Sequence, residues 1–206
     1  MDLVTLTKPQ SAAAEAYRTL RTNLYFATLE KPAKTIVVAS SSADEDAATA
    51  LANLAVVLAQ ADKSVIAVEA NLRNPSLCKT LGVDGSGAGF ADMLSDERLT
   101  SQSPIKQTQV PGLMALAAGA PPAHPSDLFS SARLAGVIAA LEKKADVVLL
   151  SAPPLGSVSD AALLASRCDG AILVVTAGKT RREAASGAKE LLERAKARAL
   201  GVVMLN

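Results

Sequence analysis

The stretch "VVASSSADEDAATALANLA", residues 37–55, decides the fold because a buried strand, a small polar loop and a helix follow one another directly. In this context the backbone N–H groups of the loop and of the helix start can surround a phosphate. Here Asp44, Glu45 and Asp46 stand where such a loop has glycines, and Ala47 stands where it has lysine. The stretch therefore predicts a nucleotide-binding fold whose phosphate loop has become acidic.

Other apolar runs, each short and rich in Val, Ile or Leu, recur along the chain with helix-compatible segments between them. Continuous rather than alternating apolarity indicates strands buried on both faces, and hence a parallel sheet covered by helices. The chain is predicted to form one domain, residues 1–206, with a doubly wound, mostly parallel α/β architecture. The predicted strands are 35–40, 64–70, 113–119, 146–152, 170–178 and 201–206, and the predicted helices are 11–29, 46–61, 127–142, 158–166 and 180–197.

Composition narrows the possible partners and compartments. The 21 Lys and Arg residues nearly balance the 20 Asp and Glu residues, so the net charge predicts no attraction to nucleic acid or to an anionic membrane. Cys78 and Cys168 lie far apart, without the spacing of a zinc site or of a disulfide framework. The N-terminus lacks a signal-peptide pattern and no apolar run reaches the roughly 20 residues of a membrane span. A cytoplasmic location is predicted.

Five segments in order carry a resemblance to a known family. Together they resemble the cytoplasmic kinase domain of bacterial tyrosine kinases, the BY-kinases that regulate capsule and exopolysaccharide export. That family belongs with the MinD and ParA ATPases to the deviant P-loop group, so the resemblance implies a P-loop NTPase-like fold that uses ATP and magnesium. The segments are "EAYRTLRTNLYFA" (15–27), the loop at 37–49, "VIAVEANLRNP" (65–75), "GAPPAHPSDLFSS" (119–131) and "VVLLSAPPLGSVSDA" (147–161).

The departures from the family pattern fall where its chemistry takes place. In the phosphate loop, aspartates replace both glycines, alanines replace the lysine and the adjacent hydroxyl residue, and a threonine alone remains. The aspartates of the second acidic motif and of the Walker B strand are also replaced. We therefore predict no catalytic residue, no metal site and loss of ATP and magnesium binding. The degenerate loop comprises Ser42, Ala43, Asp44, Glu45, Asp46, Ala47, Ala48 and Thr49, and the degenerate acidic motifs contain Glu69, Asn71 and Ser151.

The acidic triplet Asp44, Glu45 and Asp46 has three interpretations. The first interpretation is a solvated helix start, where each acid stabilises the helix by about 0.3–1 kcal/mol through the exposed N–H groups and the helix dipole. Alternatively, its carboxylates replace the phosphate and hold an ATP-like loop shape. A magnesium or calcium site is the third interpretation, but three consecutive side chains point in divergent directions.

Charged side chains outside the loop suggest a contact between subunits and a contact with an anion or a carboxylate. Glu15, Arg18 and Arg21 lie on one flank of the first long helix and match the family's EX2RX2R motif, which implies oligomerisation in a ring; a local Glu15–Arg18 pair is the simpler interpretation. Arg73 keeps its family position, where it contacts an anion or a carboxylate or forms a surface salt bridge.

The function that follows is that of a catalytically inactive BY-kinase homologue, a regulatory or scaffold subunit in polysaccharide assembly and export. The resemblance implies an inner-membrane polysaccharide co-polymerase, or chain-length protein, as partner, so the chain would lie peripheral to the inner membrane. A homo-oligomer or a mixed assembly with an active paralogue is predicted, and no nucleic-acid partner. The alternatives are an active tyrosine kinase or ATPase with an unconventional site, in which Glu69 holds magnesium, and a MinD- or ParA-like positioning protein.

Overall fold

The computed structural model describes residues 3–43 and 45–206, so the predicted loop residue Asp44 lies outside the described residues. A seven-stranded sheet has the order β3-β4-β2-β5-β1-β6-β7, and every pair is parallel except β3 with β4. This confirms the mostly parallel α/β fold. The strands are β1 Thr35–Ser40, β2 Val65–Glu69, β3 Ile105–Gln107, β4 Leu113–Leu116, β5 Val147–Ser151, β6 Gly170–Thr176 and β7 Ala199–Leu205.

Helices connect the strands and cover both faces of the sheet. The helices are α1 Val4–Thr7, α2 Ala12–Ala27, α3 Ala47–Ala59, α4 Leu77–Thr80, α5 Phe90–Ser95, α6 Arg98–Ser101, α7 Pro125–Ser130, α8 Arg133–Glu142, α9 Asp160–Ala165 and α10 Arg182–Arg194. In the described part of the chain, no helix is both long enough and apolar enough to cross a bilayer.

The core consists of two hydrophobic clusters, one on each face of the sheet. Adjacent strand residues alternate between them: Ile36 packs with helix α3 on one face and Val37 packs with helices α8 and α9 on the other. Strands β1 and β2 are buried at every position. Their continuous apolarity follows from this, because side chains pointing either way enter a core.

The predicted helix 127–142 is wrong as a single element. Helix α7 ends before Ser131, whose backbone is extended with ψ 151°, and helix α8 begins at Arg133. The Ser131 hydroxyl donates to the Leu128 carbonyl at 2.7 Å, which satisfies an acceptor at the end of α7. A serine side chain of this kind competes with the helical backbone, and an apolar periodicity that continues across it gives no sign of the break.

The sequence pattern also missed short elements between residues 77 and 107. Helices α4, α5 and α6 have four to six residues each, and β3 has three. Elements this short contain less than two periods of a helical pattern, so periodicity does not detect them. They complete the sheet edge and the cover over β2 and β4.

Candidate functional site

The site lies where β1, β2 and β5 end, at the carboxyl edge of the sheet. Ligands of open α/β sheets bind at this edge, near the point where the strand order reverses. Here β1 lies between β5 and β6, and the loop after β1 leads into helix α3. The topology therefore brings together three of the five segments that carry the family resemblance, 37–49, 65–75 and 147–161.

Glu45 folds back onto the start of its own loop. Its carboxylate accepts hydrogen bonds from the backbone N–H groups of Ser41 at 2.7 Å and Ser42 at 3.1 Å, and from the Ser41 hydroxyl at 2.9 Å. The Thr180 hydroxyl, just beyond β6, donates to the same carboxylate. Glu45 is buried, with 8% of its surface exposed. The carboxylate is thus a fixed anion inside the loop rather than a solvated charge.

The protonation of Glu45 follows from these donors. Burial on its own raises the pKa of Glu45, but the hydrogen bonds from Thr180, Ser42 and Ser41 outweigh burial and bring the pKa below its ordinary value. The loop therefore carries a negative charge at neutral pH.

Asp46 caps helix α3. Its Oδ1 accepts a hydrogen bond from the Thr49 N–H at 2.9 Å, so it is the N-cap residue of the helix. Ala47 is buried and Ala48 is half-buried, and neither offers a polar side chain. N–H groups at helix starts bind anions in other proteins. Here the Thr49 N–H donates instead to the carboxylate of Asp46 in the same chain.

Glu69 and Ser151 meet at the ends of β2 and β5, where they are direct partners across the parallel pair. The Ser151 hydroxyl donates to Glu69 Oε1 at 2.7 Å, and the Leu77 N–H donates to Oε2. Ser151 Oγ in turn accepts from the N–H groups of Ala70 at 3.1 Å and Asn71 at 3.4 Å. Glu69 is 1% exposed. It therefore ties α4 to the sheet and has both oxygens engaged.

Burial raises the pKa of Glu69, although the hydroxyl of Ser151 and the backbone N–H groups of Leu77, Ser76 and Cys78 favour the charged form. Asn71, which follows β2, uses its Oδ1 to accept from the Asn74 N–H at 3.2 Å within a turn. The altered acidic motif thus has contacts within the protein. In the described residues, no group of three or more His, Cys, Asp or Glu side chains is placed to hold a metal ion.

Arg73 contacts a carboxylate. Its Nε donates to Asp160 Oδ2 at 2.7 Å and one of its terminal nitrogens lies 3.3 Å from Asp160 Oδ1. Ser126 donates to the same Asp160 at 2.5 Å. The Asp160 side chain is fully buried, whereas 41% of the Arg73 side chain is exposed. The hydrogen bond to Asp160 raises the pKa of Arg73. The segment after β2, helix α7 and helix α9 are joined in this way.

Sequence patterns do not single out Asp160, Ser126 or Thr180. Asp160 and Ser126 lie inside the two Pro-containing segments that carried the resemblance, but nothing in their spacing indicates a common partner. Thr180 lies 135 residues from Glu45. A contact over this distance in sequence is set by strand order, and a local pattern does not contain it.

The motif side chains of α2 separate into outward and inward contacts. Arg18 pairs with Glu15 at 2.7 Å and donates to the Pro9 carbonyl, while Arg21 donates to the Val57 carbonyl of α3 at 2.9 Å. The Glu15 side chain is 68% exposed. Arg21 therefore anchors α2 to α3, and Glu15 with Arg18 presents charge at the surface.

Helix α2 also reaches the loop after β1 through Tyr17. Burial raises the pKa of the Tyr17 phenol, and the nearby charge of Asp46 raises it further. The two residues line one groove, together with residues of α2 and β7. The motif helix and the loop after β1 thus border one groove within a single molecule.

A fold of this strand order, with a loop joining a central strand to a helix, defines the P-loop NTPase-like class. Comparison with known proteins gives the family. No protein-family model matches the chain. It is 32% identical over 203 residues to the tyrosine-protein kinase YwqD of Bacillus subtilis, covering 98% of this chain and 85% of that protein. Among solved structures, it superposes on the chimerical protein CapA2B2 with a TM-score of 0.91 and 28% identity, covering 98% of this chain and 88% of the other.

The septum site-determining protein MinD from Pyrococcus horikoshii, solved with Mg-ADP, superposes with a TM-score of 0.69 and 25% identity over 83% of this chain and 69% of that chain. The chain belongs to the bacterial tyrosine-protein kinase family, the BY-kinases. The resemblance carried by the five sequence segments is thereby confirmed at the level of family and fold.

Proposed function

We propose that this BY-kinase homologue is a catalytically inactive scaffold or regulatory subunit. The family acts in capsule and exopolysaccharide synthesis. The observation that carries the proposal is that the chain's own carboxylates occupy N–H groups of the loop: Glu45 takes those of Ser41 and Ser42, and Asp46 takes that of Thr49. These contacts favour the interpretation that the loop holds its shape without a phosphate.

The size and the charge of the cavity support the loss of nucleotide binding. The cavity between the loop and Glu69 has a volume of about 250 Å³, below the roughly 300–1,000 Å³ of typical ligand pockets. Glu45, Asp46 and Glu69 line it, and its one arginine, Arg73, is paired with Asp160. A carboxylate about 6 Å from one phosphate charge costs roughly 1–3 kcal/mol. The residues present do not fit a magnesium nucleotide, which needs a lysine and carboxylates able to reach the metal.

Calorimetric titration with ATP and ADP, with and without magnesium, tests the proposal. We expect no binding by the native chain up to about millimolar nucleotide, which corresponds to a binding free energy weaker than about 4 kcal/mol. The variant Asp44→Gly, Asp46→Gly and Ala47→Lys restores the glycines and the lysine, and we expect it to bind detectably.

Micromolar binding by the native chain would overturn the proposal and favour the alternative of an active kinase or ATPase. In that case the variant Glu69→Ala tests whether Glu69 is a magnesium ligand of an active enzyme. Loss of such a ligand predicts loss of turnover in a protein that remains folded. A thermal melt of each variant provides the control for folding.

The scaffold would act through binding energy rather than through an ATP cycle. The proposed partner is the cytoplasmic segment of an inner-membrane polysaccharide co-polymerase, which would hold this chain at the membrane periphery. Self-association through α2, or a mixed assembly with an active paralogue, is the second part of the proposal. The outward charge of Glu15 supports a contact of this kind, because in the part of the chain that the structure describes its side chain pairs with Arg18 alone and is 68% exposed.

We expect Glu15→Ala to weaken self-association about 3- to 5-fold, since an exposed ion pair contributes up to about 1 kcal/mol. The melting temperature should hardly change, because the Glu15–Arg18 pair contributes a few tenths of a kcal/mol to the isolated helix. Sedimentation velocity over a concentration series measures the effect. Glu30→Ala, which removes another exposed acid, is the matched control. A native chain that stays monomeric, or an equal effect of both variants, would contradict the interface.

A further inference from the structure

The edge of the sheet opposite the site collects positive charge. Because the strands other than β3 are parallel, the segments that precede them lie at one edge. We define the amino-edge face as the segments 28–34, 60–64, 143–146, 166–169 and 195–198. These hold eight Lys and Arg residues against four Asp and Glu residues, although the whole chain has 21 against 20. The fold thus separates charge that the composition balances.

Most cations of the amino-edge face are exposed. Seven of the eight are exposed, and Arg198 is half-buried. Within residues 3–43 and 45–206, none of the eight takes part in an ion pair. Arg198 donates to the backbone carbonyls of Lys31 and Ala27. The exposed cations are Lys31, Lys34, Lys63, Lys143, Lys144, Arg167 and Lys196.

Two of the four acids of this face are used to organise the strand starts. Asp146 accepts from the N–H and hydroxyl of Ser64 at 2.9 and 2.7 Å. Asp169 accepts from the N–H groups of Lys34 and Thr35 at 2.8 and 2.9 Å. Glu30, Asp62 and Asp146 are exposed, and Asp169 is half-buried. The outward charge of the face is therefore predominantly positive.

Apolar side chains stand beside these cations. Tyr25 and Phe26 are each 61% exposed and Leu29 is 54% exposed, at the end of α2 and just after it. Tyr25 lines the same apolar cavity, of about 480 Å³, as Lys34 and Lys63. Large exposed side chains grouped in this way on a soluble surface mark an interaction site.

We propose that the amino-edge face docks directly on an anionic phospholipid bilayer. Lysines and arginines attract the charged headgroups, each contributing about 1 kcal/mol near the surface, and exposed aromatic and aliphatic side chains enter the interfacial region. Nucleic acid shares the negative charge, but Leu29 offers no stacking face and the rings of Tyr25 and Phe26 are tilted by 56° to each other. The proposal does not depend on the protein partner or on the loss of nucleotide binding.

Co-sedimentation of the 206-residue chain with phospholipid vesicles tests this docking. We expect binding to equimolar phosphatidylcholine–phosphatidylglycerol vesicles, little binding to phosphatidylcholine vesicles, and a decrease as salt is raised. The variant Lys31→Ala, Lys63→Ala and Lys144→Ala should bind on the order of 100-fold more weakly, which corresponds to about 3 kcal/mol. The variant Phe26→Ser with Leu29→Ser should also bind more weakly, with its salt dependence preserved.

The matched control is Lys8→Ala, Lys79→Ala and Lys179→Ala, which removes the same charge from exposed positions outside the face. It should bind nearly as the native chain does. Equal losses in both triple variants, equal binding to neutral vesicles, or no binding to either vesicle would overturn the proposal. Binding to a single-stranded oligonucleotide without binding to vesicles would also overturn it and would assign the face to nucleic acid. Circular dichroism confirms that each variant is folded.

Discussion

Replacing Glu69 by alanine is expected to lower the free energy of unfolding by about 3–4 kcal/mol at neutral pH. The substitution leaves the buried Ser151 hydroxyl and the N–H group of Leu77 without the acceptor that each now uses. A buried donor left unsatisfied costs about 1–3 kcal/mol, and the cavity adds to this. Chemical denaturation measures the loss, and Glu190→Ala, which removes an exposed acid, should change the stability by less than about 0.5 kcal/mol.

The pH dependence identifies the role of Glu69 more closely. Because burial raises the folded-state pKa above the ordinary value of 4.5, the part of the stabilisation that depends on the protonation of Glu69 is fully present below that value and is lost as pH rises through the folded-state pKa. The packing and hydrogen bonds of the side chain account for the loss expected at neutral pH. Glu69→Gln keeps the shape and does not titrate. We therefore expect it to cost less than Glu69→Ala and to flatten the decrease in stability above pH 4.5. A Glu69→Ala protein as stable as the native chain would show that the contacts with Ser151 and α4 contribute nothing.

Replacing Glu45 by alanine is the second large effect, with an expected loss of about 2–3 kcal/mol at neutral pH. The carboxylate accepts from two backbone N–H groups and from the hydroxyls of Ser41 and Thr180. Hydrogen bonds to a charged group contribute about 1.5–3 kcal/mol, and part of this is recovered because the loop relaxes toward water. Thr180→Val removes one of these donors and should lower the stability by about 1 kcal/mol.

Glu45 and Glu69 should respond to pH in opposite directions. Since hydrogen bonds lower the folded-state pKa of Glu45, its stabilisation is present above the ordinary value of 4.5 and is lost as pH falls through the folded-state pKa. The difference between the native chain and Glu45→Ala should therefore shrink in acid. Denaturation at neutral pH and below the folded-state pKa measures it. An equal difference at both pH values would mean that the charged form of Glu45 does not organise the loop.

The candidate site was only partly predictable. The sequence located the loop because it follows an apolar run, and it located Glu69 and Ser151 because the segments 65–75 and 147–161 resemble the acidic motifs of the family. It left three interpretations of the acidic triplet open. The contacts of buried Glu45 favour internal hydrogen bonding for that residue, whereas Asp46, the N-cap of α3, fits the helix start. The alternative of Glu69 as a magnesium ligand loses support, because both its oxygens accept hydrogen bonds inside the protein.

Local sequence determined the class of fold. Uninterrupted apolar runs require burial on both faces of each strand, and this requirement is satisfied by a parallel sheet between two layers of helices. The same runs fixed the places where strands end and therefore the places where polar site residues stand. These features depend on neighbours within a few residues, so a single sequence is enough to predict them.

Tertiary structure alone decided which side chains meet. Glu69 and Ser151 are 82 residues apart, Arg73 and Asp160 are 87 apart, and Glu45 and Thr180 are 135 apart. Each pair is formed by strand order and register, which no local pattern specifies. The amino-edge face arises in the same way, because a chain with balanced charge acquires a basic edge only when parallel strands place five separate loops side by side. Composition determines how much charge the protein carries, and topology determines where that charge acts.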